Sequence, residues 1–292
     1  MNRLEMENFE ADSAAALGRS KRLWLLHFLM DAALFSAFFG WLRIPDQRAL
    51  QFLGSVLAGL ALAFLAVWLQ AATLTYFQSD HEKAGASLAA AARRALMHLP
   101  AFLVWLIIFA AALWLVSFAR TYNGQLAGYV RHLLPGALRS SVSPRQVARI
   151  GAWIFFSVFW FLVPLFFLPL GTQAAARGFR GLAGDSLRRA LRAFLTLRCW
   201  IVYAVCFMAG IWAPWKLARM FPRWDDPGTL ERQATSAGLR FFVGYVLLIT
   251  AWLLLASALG RLTAERAEPP AAVSEPASGQ PPGKEARAPA ES

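Results

Sequence analysis

LWLLHFLMDAALFSAFFGWL, residues 23–42, is an apolar run of the length that crosses a bilayer, broken only by His27 and Asp31. A transmembrane helix needs about 20 predominantly apolar residues. A carboxylate inside one is expensive enough to demand a reason. This run therefore fixes the fold class and poses the main functional question.

Five further runs follow, at about 52–77, 101–119, 151–174, 199–217 and 240–261. The 292-residue chain is 58% hydrophobic, with 23 Phe, 12 Trp and a mean hydropathy of +0.46. That exceeds the roughly half-apolar content of soluble domains. The expected fold is all-α: a polytopic integral membrane protein with about six transmembrane helices in residues 23–262. A polar N-terminus, 1–22, precedes them. No small-residue cleavage site follows the first run, so that run reads as an uncleaved anchor. Residues 263–292, rich in Pro, Ala, Glu, Ser and Gly, cannot bury enough surface to offset ordering and read as a disordered tail.

A formal net charge of +12 would suggest nucleic acid in a soluble protein. Here Lys and Arg lie beside apolar spans with no base-stacking aromatics between them, which points to anionic headgroups and away from nucleic acid. With the N-terminus inside, fifteen Lys and Arg fall on the cytoplasmic side and twelve opposite, leaving aside Lys284 and Arg287 of the tail. The expectation is an inner-membrane protein with both termini cytoplasmic. Trp24, Trp41, Trp200 and Trp215 bracket spans one and five, as headgroup anchors do. Cys199 and Cys206, the only cysteines, sit inside span five and read as small buried apolar side chains.

An internal repeat appears at an offset of 99 residues, where GASLAAAARRALMHL (85–99) falls on GDSLRRALRAFLTLR (184–198) and Thr73 on Thr172. In each copy a span ends, a Gly-x-Ser turn follows, Ser caps a short basic helix, and the next span begins. The units, about 52–119 and 151–217, run the same way, which makes the repeat parallel. The two basic helices are expected to be interfacial and amphipathic. Leu187, Leu191, Phe194 and Leu195 would face the apolar phase, while Arg188, Arg189 and Arg192, and Arg93 and Arg94 in the first copy, reach headgroup phosphates. Loops that merely set topology would carry the same residues.

GASLAAAARRALMHLP and GDSLRRALRAFL, each between two spans, resemble the six-helix membrane domain of bacterial glycerophosphodiester phosphodiesterases and of related stand-alone membrane proteins. The likeness covers about residues 52–217. That family's catalytic barrel, with its His-Arg-Gly-type start and carboxylate cluster, has no counterpart in these residues, so the resemblance implies a membrane domain and carries no catalytic residue over.

No catalytic motif is legible, and no cofactor or metal is expected. His27, His81, His98 and His132 are scattered. Asp80, His81 and Glu82 are adjacent, and consecutive helical residues point apart, which suits solvent better than a metal. Asp225 and Asp226 before Pro227 read as a helix start, with Asp226 as cap, rather than as a carboxylate pair. Pro164, Pro169 and Pro214 should kink spans four and five. Ser55 and Gly59 should let span two pack closely.

Asp31 lies eight residues into span one, about 12 Å deep at 1.5 Å per residue. His27, one turn earlier, shares its face and can share a hydrogen bond or a proton. Gln70, at similar depth on span two, is the first candidate partner, with Thr73, Thr172 and Gln173 as others. An intramembrane acid suggests a site, while interhelical polar bonds also serve as packing glue. Two functions follow. The leading one is a noncatalytic membrane module that binds anionic lipid or serves as a subunit of a membrane assembly. The other is a small-solute or proton-coupled transporter using Asp31 and His27.

Overall fold

The computed structural model describes residues 21–44, 48–82, 87–219 and 230–264. Residues 1–20 of the polar N-terminus, residues 265–292 of the tail and Asp225–Pro227 lie outside them, as do the side chains of Asp80, His81 and Glu82, while Lys21, Arg22, Thr263 and Ala264 belong to helices. Among the described residues the chain is helical without strands, and six stretches are long and apolar enough to cross a membrane: Lys21–Trp41, Ala49–Ser79, Leu88–Thr121, Pro144–Leu182, Leu197–Arg219 and Gln233–Ala264.

The elements are α1 (Lys21–Trp41), α2 (Ala49–Glu82), α3 (Leu88–Thr121), α4 (Asn123–Leu133), α5 (Gly136–Ser141), α6 (Pro144–Ser157), α7 (Val163–Arg177), α8 (Gly184–Phe194), α9 (Leu197–Phe207), α10 (Ala213–Arg219) and α11 (Leu230–Ala264). At 1.5 Å per residue, the 34 residues of α2 and of α3 each run about 51 Å, longer than the roughly 30 Å hydrocarbon layer.

α11 is the central pillar, packed against α1, α2, α7, α9 and α10. On one side Leu74, Phe77, Phe102, Trp105 and Leu253 form a core; on the other, Leu165, Tyr203, Phe207, Leu255 and Leu259 form a second. Outward-facing Leu, Phe, Ile and Trp of the other spans are exposed, as a lipid-facing surface requires.

Prolines shape spans four and five. A π-helical turn, Val158–Leu162, joins α6 to α7 before Pro164, and another, Met208–Trp212, joins α9 to α10 before Pro214. Proline offers no N–H to the carbonyl four residues back and collides with it, and widening the helix there relieves the clash. For Pro164 that carbonyl is Trp160 O, which accepts the Tyr203 hydroxyl at 2.5 Å.

Close contacts explain several small residues. Trp41 donates its indole N–H to Ser55 O at 2.7 Å and lies over Gly59, where a Cβ would sit 3.0 Å from the ring. Ser55 and Gly59 thus admit a Trp from span one. Trp105 likewise donates to Phe167 O at 3.0 Å across Gly171, where a Cβ would sit 2.6 Å from the ring.

The connection between spans three and four contains α4 and α5, two helices in what reads as a loop. Asn123 donates to Ala148 O at 2.8 Å and ties α4 to α6. Span four begins seven residues before the apolar run, because Ser143 and Gln146 form a reciprocal capping box with Pro144 in the first turn.

Candidate intramembrane polar site and basic face

His27 on α1 is fully buried and anchored at both ring nitrogens. Nδ1 lies 2.9 Å from Asp31 Oδ2, one turn along α1, and Nε2 lies 2.6 Å from Thr73 Oγ1 on α2. Thr73 donates its only hydroxyl hydrogen to Leu69 O at 2.9 Å, the usual return bond of a helical Thr. Nε2 is then the donor to Thr73, and Nδ1 faces Asp31 Oδ2 on the other side of the ring. Asp31 itself is 27% exposed, so its second oxygen has an outlet. Around the pair, Tyr245 on α11 donates to Phe28 O at 2.6 Å and lies near enough to Asp31 to interact electrostatically. Trp24 donates to Thr250 Oγ1 at 3.2 Å. These aromatic contacts bind α1 to α11 and were not legible in advance, because nothing in one sequence pairs residues more than 200 positions apart.

Of the sequence candidates, His27, Asp31 and Thr73 come together, and Thr73 takes the place expected of Gln70. The Gln70 Oε1 atom is buried without a protein hydrogen-bond partner. Thr172, on α7, spends its hydroxyl on Pro169 O at 2.7 Å. Gln173, also on α7, is fully buried with both amide atoms unpartnered, and so is Gln78 on α2. Nearby, Thr75 shares its hydroxyl between Ala71 O at 2.8 Å and Ala175 O at 3.1 Å, joining α2 to α7. A buried amide left without a hydrogen-bond partner is costly, which sets Gln78 and Gln173 apart from the threonines around them.

The two basic stretches differ in form. The second is a separate helix, α8; the first runs without a break into span three as part of α3. The difference lies in Thr196, which returns its hydroxyl to Ala193 O at 2.6 Å and takes an extended conformation that ends α8 and starts α9. Nor is Ser186 a cap. α8 begins two residues earlier, at Gly184, whose φ of +59° suits glycine, and Ser186 is buried in its first turn. On α3, Ser87 does occupy the cap position, without a side-chain cap bond.

α8 turns Ser186, Ala190 and Ala193 toward α7 and the bundle, so its small residues, rather than its leucines, face the protein. Leu191 and Leu195 are exposed, beside exposed Arg188 and Arg192. Arg188 lies 3.9 Å from Asp185, with both side chains over three-quarters exposed, a pairing worth little in water. Arg189 reaches Ser186 Oγ at 3.4 Å. Arg93 is exposed on α3, and Arg94 donates to Ser79 Oγ at 3.3 Å.

Between α3, the 3₁₀ turn Gly178–Leu182 and α8 lies a recess of about 640 Å³, lined by Met97, His98, Pro100, Ala101, Arg177, Gly178, Phe179, Arg180 and Ser186. Among the described residues no cluster of His, Cys, Asp and Glu could hold a metal, and Cys199 and Cys206 are free and buried. No known protein family, curated protein or solved structure matches the chain.

Proposed function

We propose that the chain is a noncatalytic membrane module that binds anionic phospholipid at the bundle end where α7 meets α8. The observation that carries this reading is the three-way division of α8. Small residues hold it to the bundle, Leu191 and Leu195 project outward, and Arg188 and Arg192 stand beside them. A helix with cations next to exposed leucines matches a surface where acyl chains give way to phosphates. Exposed Arg93 adds to the same end of the molecule.

The Lys and Arg count supports placing that end in the cytoplasm, with both termini there and the inner membrane as the host bilayer. The sequence repeat supports two related units, and the two threonines it aligns, Thr73 on α2 and Thr172 on α7, are both fully buried. The bond from Thr75 to Ala175 links the two. Resemblance to the membrane domain of glycerophosphodiester phosphodiesterases fits a lipid-facing module and adds no catalytic role. The transporter reading has less support. Among the described residues Asp31 is the only carboxylate within a span, and its network closes on Thr73 and the α2 backbone instead of continuing.

Native mass spectrometry from mild detergent tests the proposal. Retention of phosphatidylglycerol or cardiolipin by the wild type, with reduced retention by Arg188→Ala/Arg189→Ala/Arg192→Ala, is expected. Equal retention of phosphatidylcholine and no effect of the triple substitution would overturn it.

A further inference from the structure

We infer that the exposed apolar stripe running from the second half of α3 onto α4 is the contact surface for a second copy of this chain, paired about a two-fold axis along the membrane normal. α8 packs near the start of α3 and α4 follows its end, so the inference is independent of the lipid-binding end.

Leu115, Phe118, Tyr122, Leu126, Tyr129 and Leu133 follow one another in steps of three and four residues, the spacing of a single helix face. All six are exposed, Tyr129 by 70% and Leu133 by 85%. The face stays continuous through Tyr122, where α3 gives way to α4. The Phe118 and Tyr122 ring centroids are 5.2 Å apart, and the Leu126 N–H donates to Tyr122 O at 3.0 Å, as in an unbroken helix. Trp114 stacks on Phe118 and extends the stripe into the span.

Lipid covers only the beginning of this stripe. On span four, exposed Arg149 is followed by exposed Ile150, Trp153 and Ile154, which sets the hydrocarbon edge near Arg149. Asn123 is level with that edge, because it donates to Ala148 O and a Cβ on Gly151 would fall 2.1 Å from its Oδ1. From there α4 runs back along α6, and Arg131 Nε donates to Val142 O at 3.2 Å, just before α6 begins. Since α6 is the helical extension of span four, α4 stands up beside it instead of lying flat. Leu133 is ten residues past Asn123, about 15 Å at 1.5 Å per residue, whereas headgroups add only about 5–7 Å beyond the hydrocarbon on each side. Tyr129 and Leu133 therefore project into water.

An apolar face that passes unbroken from lipid into water fits an occupant that does the same. A second copy has that profile by construction: in a parallel pair about a two-fold axis, each position of the stripe meets its own counterpart at the same depth. Charge permits the pairing. None of the six residues is charged, and the nearby guanidinium groups are turned into their own hairpin, Arg131 onto the carbonyls of Val142 and Arg139, and Arg139 onto those of His132 and Leu134. Inside the bilayer lipid satisfies the stripe as well as protein does, so the gain comes from Leu126, Tyr129 and Leu133 leaving water. With Trp114, the stripe exposes on the order of 700 Å², close to the 800 Å² that each partner of a standard interface contributes.

The test uses the full chain in liposomes at a low protein-to-lipid ratio, cross-linked with a short bismaleimide. Cys199 and Cys206 are buried, so the thiol introduced by Tyr129→Cys or Leu133→Cys is the one that reacts, and Arg145→Cys on the exposed part of α6 serves for comparison. The expected result is a covalent dimer from both stripe variants, formed about tenfold or more faster than from Arg145→Cys. Adding Tyr129→Glu to Leu133→Cys should slow that cross-link about tenfold or more, while lipid retention stays that of the wild type. Stripe variants that remain monomeric overturn the inference; quenching of a fluorophore on the Tyr129→Cys thiol by nitroxide lipids would then assign the stripe to the bilayer, and shielding without quenching to another protein segment. Equal cross-linking at all three positions reports collision, and a dimer indifferent to the glutamate is held elsewhere; either result also overturns it.

Discussion

Thr73→Val isolates the interhelical bond that satisfies His27. Valine keeps the branched shape of threonine and removes only the hydroxyl, so the change creates no cavity. It leaves a fully buried imidazole nitrogen, now 2.6 Å from an acceptor, facing a methyl group. A stranded buried donor costs about 1–3 kcal/mol. Interhelical polar bonds in membranes contribute less, about 0.6 kcal/mol on average and about 1.7 at most. The upper part of the membrane range applies here, because water cannot easily replace Thr73 at a residue with no exposed surface. Thr73→Val should therefore destabilise the protein by about 1–2 kcal/mol, while Thr73→Ser, which retains the hydroxyl, should cost well under half as much.

The assay is reversible unfolding in mixed SDS and mild-detergent micelles, run as a double-mutant cycle with His27→Leu. In a His27→Leu background the hydroxyl of Thr73 has only Leu69 O to satisfy, so Thr73→Val should become nearly neutral. The coupling energy expected is about 0.6–1.7 kcal/mol. A Thr73→Val protein as stable as wild type, or additive substitutions, would show that His27 does not depend on Thr73 and that this contact does not fasten α1 to α2.

Gly171→Ala should destabilise by about 1–3 kcal/mol through overpacking, since the new methyl meets the Trp105 ring at 2.6 Å; in a Trp105→Leu background most of that penalty should vanish in the same unfolding assay. Tyr203→Phe removes the donor to Trp160 O and should cost about 1 kcal/mol, an effect that Pro164→Ala should reduce by restoring a backbone partner. Ser143→Ala breaks the capping box at the start of α6 and should weaken that end by about 1 kcal/mol, read as faster amide exchange over residues 144–148 with the deeper part of the span unchanged. Cys199 and Cys206, at 2% and 8% exposure, should resist a maleimide in the folded protein and react fully after unfolding; rapid labelling of the native protein would contradict the packing of α9 against α11.

The spans were legible because a run of some 20 apolar residues has one common explanation in a chain this hydrophobic. Their ends were less so. α6 begins in SPRQ, whose cap signals lie outside the apolar window, and α4 grows from the mixed stretch NGQLAGYVRHL, where hydropathy suggests a loop. The His27–Asp31 pair followed from spacing alone, since residues four apart share a helix face. Its partner did not: Gln70 and Thr73 differ by less than a turn in depth, and only the rotation of α2 about its axis chooses Thr73. The inward face of α8 escaped for a related reason. Its leucines announce an apolar face, yet Ser186, Ala190 and Ala193 allow the closer approach to α7, and close approach decides packing between helices when lipid satisfies leucine as well as protein does.

That last point bears on how the bundle holds together and on what Asp31 does. In a bilayer, burying leucine against protein gains little over lipid, so small residues and polar bonds must hold the helices together. The contacts follow this rule throughout. Trp41 sits on Gly59, Trp105 on Gly171, and a Cβ on Gly260 of α11 would lie 2.9 Å from the Phe77 carbonyl carbon of α2. Thr75 bonds α2 to α7, Tyr203 bonds span five to span four, and Tyr245 and Trp24 bond α11 to α1. His27 belongs to this set: it fastens α1 to α2 through Thr73, and Asp31 fixes the imidazole from its other side. A carboxylate in that position has a structural task that asparagine can perform by donating one amide hydrogen bond to Nδ1. Asp31→Asn should therefore leave folding and lipid retention close to wild type, whereas Asp31→Leu, which gives Nδ1 no partner, should destabilise by about as much as Thr73→Val. If Asp31→Asn instead abolishes a proton-coupled flux in proteoliposomes while the fold persists, the acid is doing chemistry and the packing account of this site fails.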